Sequence, residues 1–332
     1  MILKTIPNSW WNNLALPVIS APMFLVSGPT LVKEACLNGI IGSFPAPNAR
    51  PIEVLDEWMN QLNEELANEK SKDPSRKIAP WAMNMVVHST YSRLEDELQL
   101  IQKHQPQLVI TSLGSPKRVV EIVHGYGGLV FSDVSDVDFA RKAAQTGVDG
   151  LILVASGAGG HAGDTNSFAF LDMVREFWDG IIVLAGAISS GYGILAAQSL
   201  GCDFAYMGTR FIPARESMAK DEYRQMLVES TRKDVILTDA FSGVNANMLI
   251  PSITKAGLDP KKLVKKESVN FDDMQKETDA RAWKDIWSAG HGVGTIRKVE
   301  PIADIIKTLE MEYEAAVQNL KEKTNKIKMI NI

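Results

Sequence analysis

Cysteine is scarce in this chain of 332 residues, which has only Cys36 and Cys202, far apart and without neighbouring Cys or His at metal-ligand spacing. That excludes a disulfide framework and a zinc cluster, and leaves both thiols as small core residues. Long apolar runs are missing as well. No stretch reaches the ~20 residues that cross a bilayer, and Met1 to Asn13 lacks the charged-then-apolar order of a secretory leader. A cytoplasmic protein with no membrane contact is expected. Nor is there a surplus of positive charge: 35 Lys and Arg against 40 Asp and Glu give a net −5, which offers nucleic acid no electrostatic footing. The two short basic stretches, Lys261 to Lys266 and Lys321 to Lys328, read as solvated helix faces.

Against these absences stands a repeated pattern. Short apolar runs recur at Val18–Ala21, Ile40–Ser43, Trp81–Val87, Leu108–Thr111, Leu129–Ser132, Leu151–Val154, Ile181–Ala185 and Phe204–Met207, with helical patterns between them. Mostly apolar runs without clean alternation are what parallel strands covered on both faces require. Eight such units in about 210 residues predict a (β/α)8 TIM barrel rather than a doubly wound sheet. The eighth strand is not followed at once by a closing helix. Residues 213–285 are polar and mostly helical in pattern, and a last helix runs from Pro301 to about Lys323. The expectation is a barrel from 1–212 and 286–332, with a helical lobe or lid of 213–285 inserted after strand eight. The charged stretch Asn63 to Lys77 lengthens the second helix and its return loop.

In such barrels the working residues stand at the C-terminal ends of the strands and in the loops that follow. Those positions hold Pro22-Met23, Asn84, Ser132-Asp133 after strand five, and the run Ala155 to Gly163 with His161 after strand six. Gly186 follows strand seven, and Gly208-Thr209-Arg210 strand eight. No lysine stands at a strand end, which speaks against a Schiff-base aldolase. Asp133, Asp164 and His161 are too few for a hydrolytic metal cage, and no metal is expected. The Gly-x-x-x-x-Gly-Lys-Ser/Thr pattern of a P-loop is absent. What is present points to a phosphate held by loop amides at Gly186 and Gly208-Thr209. Gly157-x-Gly159-x-x-Ala162 also matches a relaxed dinucleotide fingerprint, but the next strand ends Leu184-Ala185-Gly186, without the acidic residue that binds ribose. His161 is the one bulky, titratable group in a nearly side-chain-free loop. A nearby anion would favour its protonated form and a helix N-terminus would disfavour it.

Taken together, these residues resemble the nitronate monooxygenase family, formerly 2-nitropropane dioxygenases, within the NAD(P)H-dependent flavin oxidoreductases that bind FMN in a barrel. The likeness runs through Ala21-Pro22-Met23, Asn84, Ala158-Gly159-Gly160-His161, Ala185-Gly186, Met207-Gly208-Thr209-Arg210-Phe211 and Trp287 to Gly294. The Ala-Gly-Gly-His loop followed about 45 residues later by Met-Gly-Thr-Arg-Phe is the specific combination. The resemblance implies FMN with its phosphate on Gly186 and Gly208-Thr209 and its ring against Ala21, Pro22, Met23 and Asn84. Gly159, Gly160, Ala185 and Met207 complete the implied cofactor-binding set. His161 is then the catalytic base, or the electrostatic partner of an anionic nitronate. The implied activity is oxidation of alkyl nitronates with O2 to a carbonyl compound and nitrite. The resemblance also admits NAD(P)H as a donor and a homodimer as the assembly.

The chain departs from the family pattern at Gly157, where Glu or Gln is frequent, and at His291, where Gln is frequent. Asp133 and Val154 stand where some relatives carry Lys and Asp. Relatives with the same loop are NAD(P)H-dependent quinone or enoyl-thioester reductases, which gives the alternative activity. A flavin-free barrel acting on a sugar phosphate and a module that retains FMN without turnover are two further readings.

Overall fold

The computed structural model describes residues 5–265 and 284–330; the part of the expected lobe from 266 to 283 lies outside the described residues. Eight parallel strands form one sheet: β1 (Val18–Ser20), β2 (Gly42–Pro45), β3 (Trp81–Val86), β4 (Leu108–Ser112), β5 (Leu129–Val134), β6 (Gly150–Val154), β8 (Ile181–Ala185) and β9 (Phe204–Met207). Their order is β1-β9-β8-β6-β5-β4-β3-β2, and the parallel bridge between Ile19 and Ile41 brings the two edges together. This is a (β/α)8 barrel, as the eight apolar runs require.

Helices cover its outside. The first two pieces are α1 (Asn8–Trp11) and α2 (Pro29–Leu37), followed by α3 (Ile52–Lys72) and α4 (Leu94–His104). Next come α5 (Lys117–Gly125), α6 (Val137–Ala144), α7 (Ser167–Arg175) and α8 (Gly191–Ser199). Several starts are written in the sequence. Pro29 opens α2, where its missing N–H costs nothing, and Asp136, Asn166 and Ser190 cap α6, α7 and α8 by accepting from the first-turn amides. The C-terminal helix Ile302–Ile330 packs Ile302, Ile305, Ile306 and Leu309 against Leu31, Ala35 and Ile194, so it occupies the place of the eighth barrel helix. At the opposite end from the strand C-termini, α1 brings Trp10 into the barrel-interior cluster and stacks Trp11 on Phe204, with centroids 5.2 Å apart. Among the described residues no helix is long and apolar enough to cross a membrane.

Between β9 and the C-terminal helix the chain forms α9 (Asp221–Glu229), β10 (Val235–Thr238), β11 (Ala246–Leu249) and α10 (Ile250–Lys255). Helices are present as expected, but β10 and β11 pair antiparallel, and β11 pairs in turn with the two-residue strand β7 (Gly160–His161). Strands this short carry too few residues for a period-2 pattern to stand out. One boundary inside the barrel also differs from the sequence reading. Strand five does not end at Ser132 but takes in Asp133 and Val134, because β5 stays in register with β6 as far as Val134 and Leu153.

Candidate active site

Strand alternation decides which side chains enter the barrel. Ala82 and Asn84 of β3, Leu108, Ile110 and Ser112 of β4, and Leu129, Phe131 and Asp133 of β5 form successive inward layers. Met83, Met85 and Val130 point outward to the helices. The lower layers are apolar, so the barrel is a packed core there. The uppermost layer changes character: Ser112, Asp133 and Tyr206 stand beside Ala21 and Ala185 as the floor of a cavity of about 790 Å³ at the strand C-termini.

The floor is polar and under-satisfied. Asn84 Nδ2 donates to Ser112 Oγ at 2.7 Å, and Ser112 Oγ donates to Asp133 Oδ2 at 2.7 Å. Asp133 Oδ1 and the Tyr206 hydroxyl are enclosed without a hydrogen-bond partner among the described residues. Burial pushes the Asp133 carboxyl up to about 7, against the donated bond from Ser112. Burial and the neighbouring Asp133 together raise Tyr206 well above the ordinary phenol range.

The glycine-rich loop lies over this floor and is held from two sides. Asn247, buried on β11, donates from Nδ2 to the Ala158 carbonyl at 2.7 Å, and β11 pairs Ala246 with His161 and Asn247 with Gly160. The late motif closes from another side: Gly290 N donates to Thr209 Oγ1 at 2.9 Å, and His291 N donates to the Gly157 carbonyl at 2.9 Å. A Cβ at Gly159 would stand 2.7 Å from Gly290 N and 2.9 Å from Thr209 Oγ1, so the loops approach at a distance only glycine permits. The two departures at Gly157 and His291 fall on one contact, since a Cβ at Gly157 would lie 2.8 Å from His291 Nδ1. The imidazole occupies the space that a side chain at 157 would take. Tyr223 of α9 donates to the Ser288 carbonyl at 2.5 Å and stacks on Trp287 with centroids 4.9 Å apart, tying the lobe to the late motif.

His161 lines the cavity from β7, half-buried, with Nε2 2.9 Å from Ser242 Oγ. Burial lowers it to about 4, so the ring is neutral at neutral pH. Desolvation, rather than a nearby anion or a helix N-terminus, sets the direction. On the far wall, Gly186 has φ +130° and Ala187 has φ +57°, a left-handed conformation unusual for a residue with a side chain. The amides of Gly186, Ala187, Gly208 and Thr209 meet no protein acceptor among the described residues. Of the residues expected from sequence to bind the cofactor, Met207 alone stands away from the cavity. Alternation turns Tyr206 inward and Met207 outward, where it is buried in the cluster containing Leu31 and Ile302, and only its carbonyl reaches the rim by accepting from Ala21 N.

Sequence reasoning passed over Ser112, Tyr206 and Asn247. Strict alternation along β4 and β9 would have found the first two. Asn247 had no local signal, because its partner lies 89 residues away.

A parallel eight-stranded barrel with polar groups and unpartnered amides gathered at the C-terminal ends of its strands has the build of a (β/α)8-barrel enzyme. A family model described as nitronate monooxygenase matches residues 13–312, so the chain belongs to the nitronate monooxygenase family and is an oxidoreductase of that type. It is similar to the nitronate monooxygenase of Neurospora crassa, 26% identical with 95% of this chain and 93% of that protein covered. The nitronate monooxygenase of Paraburkholderia phytofirmans is 24% identical, over 93% of this chain and 95% of its own length. Among solved structures, FabK from Thermotoga maritima superposes with a TM-score of 0.77 at 20% identity, covering 97% of this chain and 100% of that one. Nitroalkane oxidase from Streptomyces ansochromogenes gives 0.75 at 22%, covering 94% and 99%. These two likenesses speak to the fold.

Proposed function

We propose that the chain is an FMN-dependent nitronate monooxygenase, cytoplasmic, acting on alkyl nitronates with O2. The residues present fit that cofactor. A phosphate needs donors with no other engagement, and the amides of Gly186, Ala187, Gly208 and Thr209 supply them on two adjacent βα loops. A Cβ at Gly186 would stand 2.9 Å from the Ser156 carbonyl, so the cradle keeps its shape because nothing fills it. A flat ring with polar edges needs apolar walls and a few polar atoms, and finds Ala21, Pro22 and Met23 beside Asn84, with the enclosed Asp133 Oδ1 and Tyr206 hydroxyl in the floor. The donor amides form one cluster, which supports a mononucleotide.

Bound FMN supplies acceptance of electrons from the nitronate and the reaction with oxygen. The protein supplies the rest. His161, neutral and lining the cavity, is a base able to take a proton from the carbon of a nitroalkane, and the resulting imidazolium would be stabilised beside the nitronate it has made. An anion bound there raises the His161 pKa, so ligand and proton uptake are coupled. The observation that carries the reading is the unpartnered amide cluster on the same cavity as His161.

A second reading, an NAD(P)H-dependent quinone or enoyl-thioester reductase, has one structural point in its favour. Asp133 keeps a proton up to about pH 7 in the cavity floor, and reduction of a polarised double bond consumes a proton where nitronate oxidation does not. Anaerobic stopped-flow decides between them. Bleaching of the flavin by alkyl nitronate is expected; prompt bleaching by NADH with none by nitronate selects the reductase. A purified protein that shows no flavin absorption, and binds no added FMN, removes both.

A further inference from the structure

Asp133 is held so that one of its two oxygens is engaged by the protein and the other is left to the cavity. Asn84 Nδ2 lies 2.7 Å from Ser112 Oγ and 3.3 Å from the Ile110 carbonyl. A carbonyl only accepts, so the nitrogen end of the amide points to this pair and Ser112 Oγ receives one of its hydrogens. The Ser112 hydrogen then goes to Asp133 Oδ2 at 2.7 Å, the one protein acceptor it meets among the described residues. Donation therefore runs from β3 through β4 to β5, and it makes Oδ2 an acceptor.

The carboxyl itself has nothing to balance a charge. Among the described residues no cation faces it, Phe131 lies below it on β5, Ile152 stands beside it on β6, and burial pushes it up to about 7. A neutral carboxyl carries one hydrogen, and with Oδ2 accepting from Ser112 that hydrogen belongs to Oδ1. Oδ1 is enclosed and meets no protein partner among the described residues, and the Tyr206 hydroxyl in the same floor is a second O–H in that condition. Buried donors without acceptors are costly, so this floor suits a ligand that brings acceptor atoms to it.

We propose that Asp133 donates a hydrogen bond from Oδ1 to an acceptor atom of the FMN ring and so makes the bound cofactor easier to reduce, with Ser112 and Asn84 as positioning residues. The proposal rests on the FMN reading. Electron uptake adds negative charge to the ring, and a donor fixed in a water-excluded floor stabilises that charge without having to turn toward it. A carboxylate in the same place would do the reverse, because like charges repel. The neutral form of Asp133 thus sets the sign of the effect as well as its size.

The test is the midpoint potential of the bound flavin, measured by dye equilibration at pH 6, with the FMN affinity of each variant taken from fluorescence quenching. Asp133→Leu, which removes the donor, should shift the equilibrium about tenfold toward oxidised flavin, which for two electrons is about 30 mV to the negative side. Asp133→Asn can accept from Ser112 through its carbonyl and donate to the ring through its amide, and should stay within about twofold of wild type. A shift of about tenfold toward reduced flavin in Asp133→Asn would show that a carboxylate had been removed, and would overturn the proposal. So would an unchanged potential in Asp133→Leu, with Oδ1 then bonded to water only. Should Asp133→Leu fail to fold or to hold FMN, the wild-type holoenzyme decides. Its infrared spectrum at pH 6 should contain the carbonyl band of a protonated carboxyl that Asp133→Asn removes and that moves on flavin reduction; a wild-type spectrum without that band refutes the idea. A wild-type protein that binds no FMN refutes the FMN reading itself, whereas bound FMN with either contrary potential refutes only the role of Asp133.

Discussion

A carboxyl in the floor of the cavity and an imidazole in its roof are moved in opposite directions by the same force. Asp133 in the floor is pushed up to about 7 and His161 in the roof down to about 4, both chiefly by burial. Desolvation penalises charge, so it raises an acid and lowers a base, and near neutrality the cavity holds an acid that can still carry its proton and a base that lacks one. The supports differ. Asp133 belongs to a barrel strand, held by Ser112 of the neighbouring β4, which Asn84 of β3 holds in turn. His161 belongs to a small antiparallel sheet whose other strands come from the chain beyond β9. The acid is thus built into the scaffold, and the base is delivered by an insertion.

Four changes would break or sharpen that contrast. The largest effect is expected in His161→Gln, which should lower kcat with a nitroalkane by about 10²–10⁴-fold, the usual worth of a positioned general base, while the protein still binds FMN. Retained turnover with loss of the cofactor would reverse the assignment. Gly186→Val should do the complementary thing. Its Cβ meets the Ser156 carbonyl and its φ of +130° suits no side chain, so the flavin-to-protein absorbance ratio should fall to a small fraction of wild type. Next in size, Asn247→Ala leaves the Ala158 carbonyl without its donor. About 1–3 kcal/mol of stability should be lost in urea unfolding, with activity falling in parallel because the same bond holds the His161 loop.

The smallest effect is on the pH dependence of stability. Folded Asp133 keeps a proton that the unfolded chain releases above its ordinary value of 3.8, so its contribution is full below that pH and lost as pH rises to about 7. His161 behaves oppositely: its contribution is full above 6.5 and lost as pH falls toward 4. The two slopes oppose each other between about pH 4 and 6.5, each at most about 1.4 kcal/mol per pH unit. Asp133→Asn should unmask destabilisation on acidification, and His161→Gln stabilisation on acidification, read as urea midpoints across that window. Parallel curves for all three proteins would show that neither group is neutralised by burial.

Much of this was legible in the chain because barrel strands announce themselves. Eight short apolar runs, each followed by a loop rich in Gly, Pro or Ser, predict both the fold and the face on which the site stands. The glycine loop and the turns at Gly186 and Gly208 were legible for the same reason, since close backbone approach demands particular residues. What alternation places was legible in principle and misread in detail: β5 runs two residues past its expected end, and Met207 faces away from the cavity. What depends on distant pairing was not legible. Nothing near Asn247 or Ser242 says that they meet Ala158 and His161, because those contacts span 89 and 81 residues and exist only once the lobe has folded.

The C-terminal helix carries a consequence for synthesis. Ile302, Ile305, Ile306 and Leu309 cover the α2 and α8 side of the barrel, yet they are made after the whole of the lobe. A nascent chain that has finished all eight barrel strands still exposes an apolar seam on its outer wall, and this long-range closure is slow by its topology. The wall of the barrel is therefore completed only when the first turns of this helix latch over that seam.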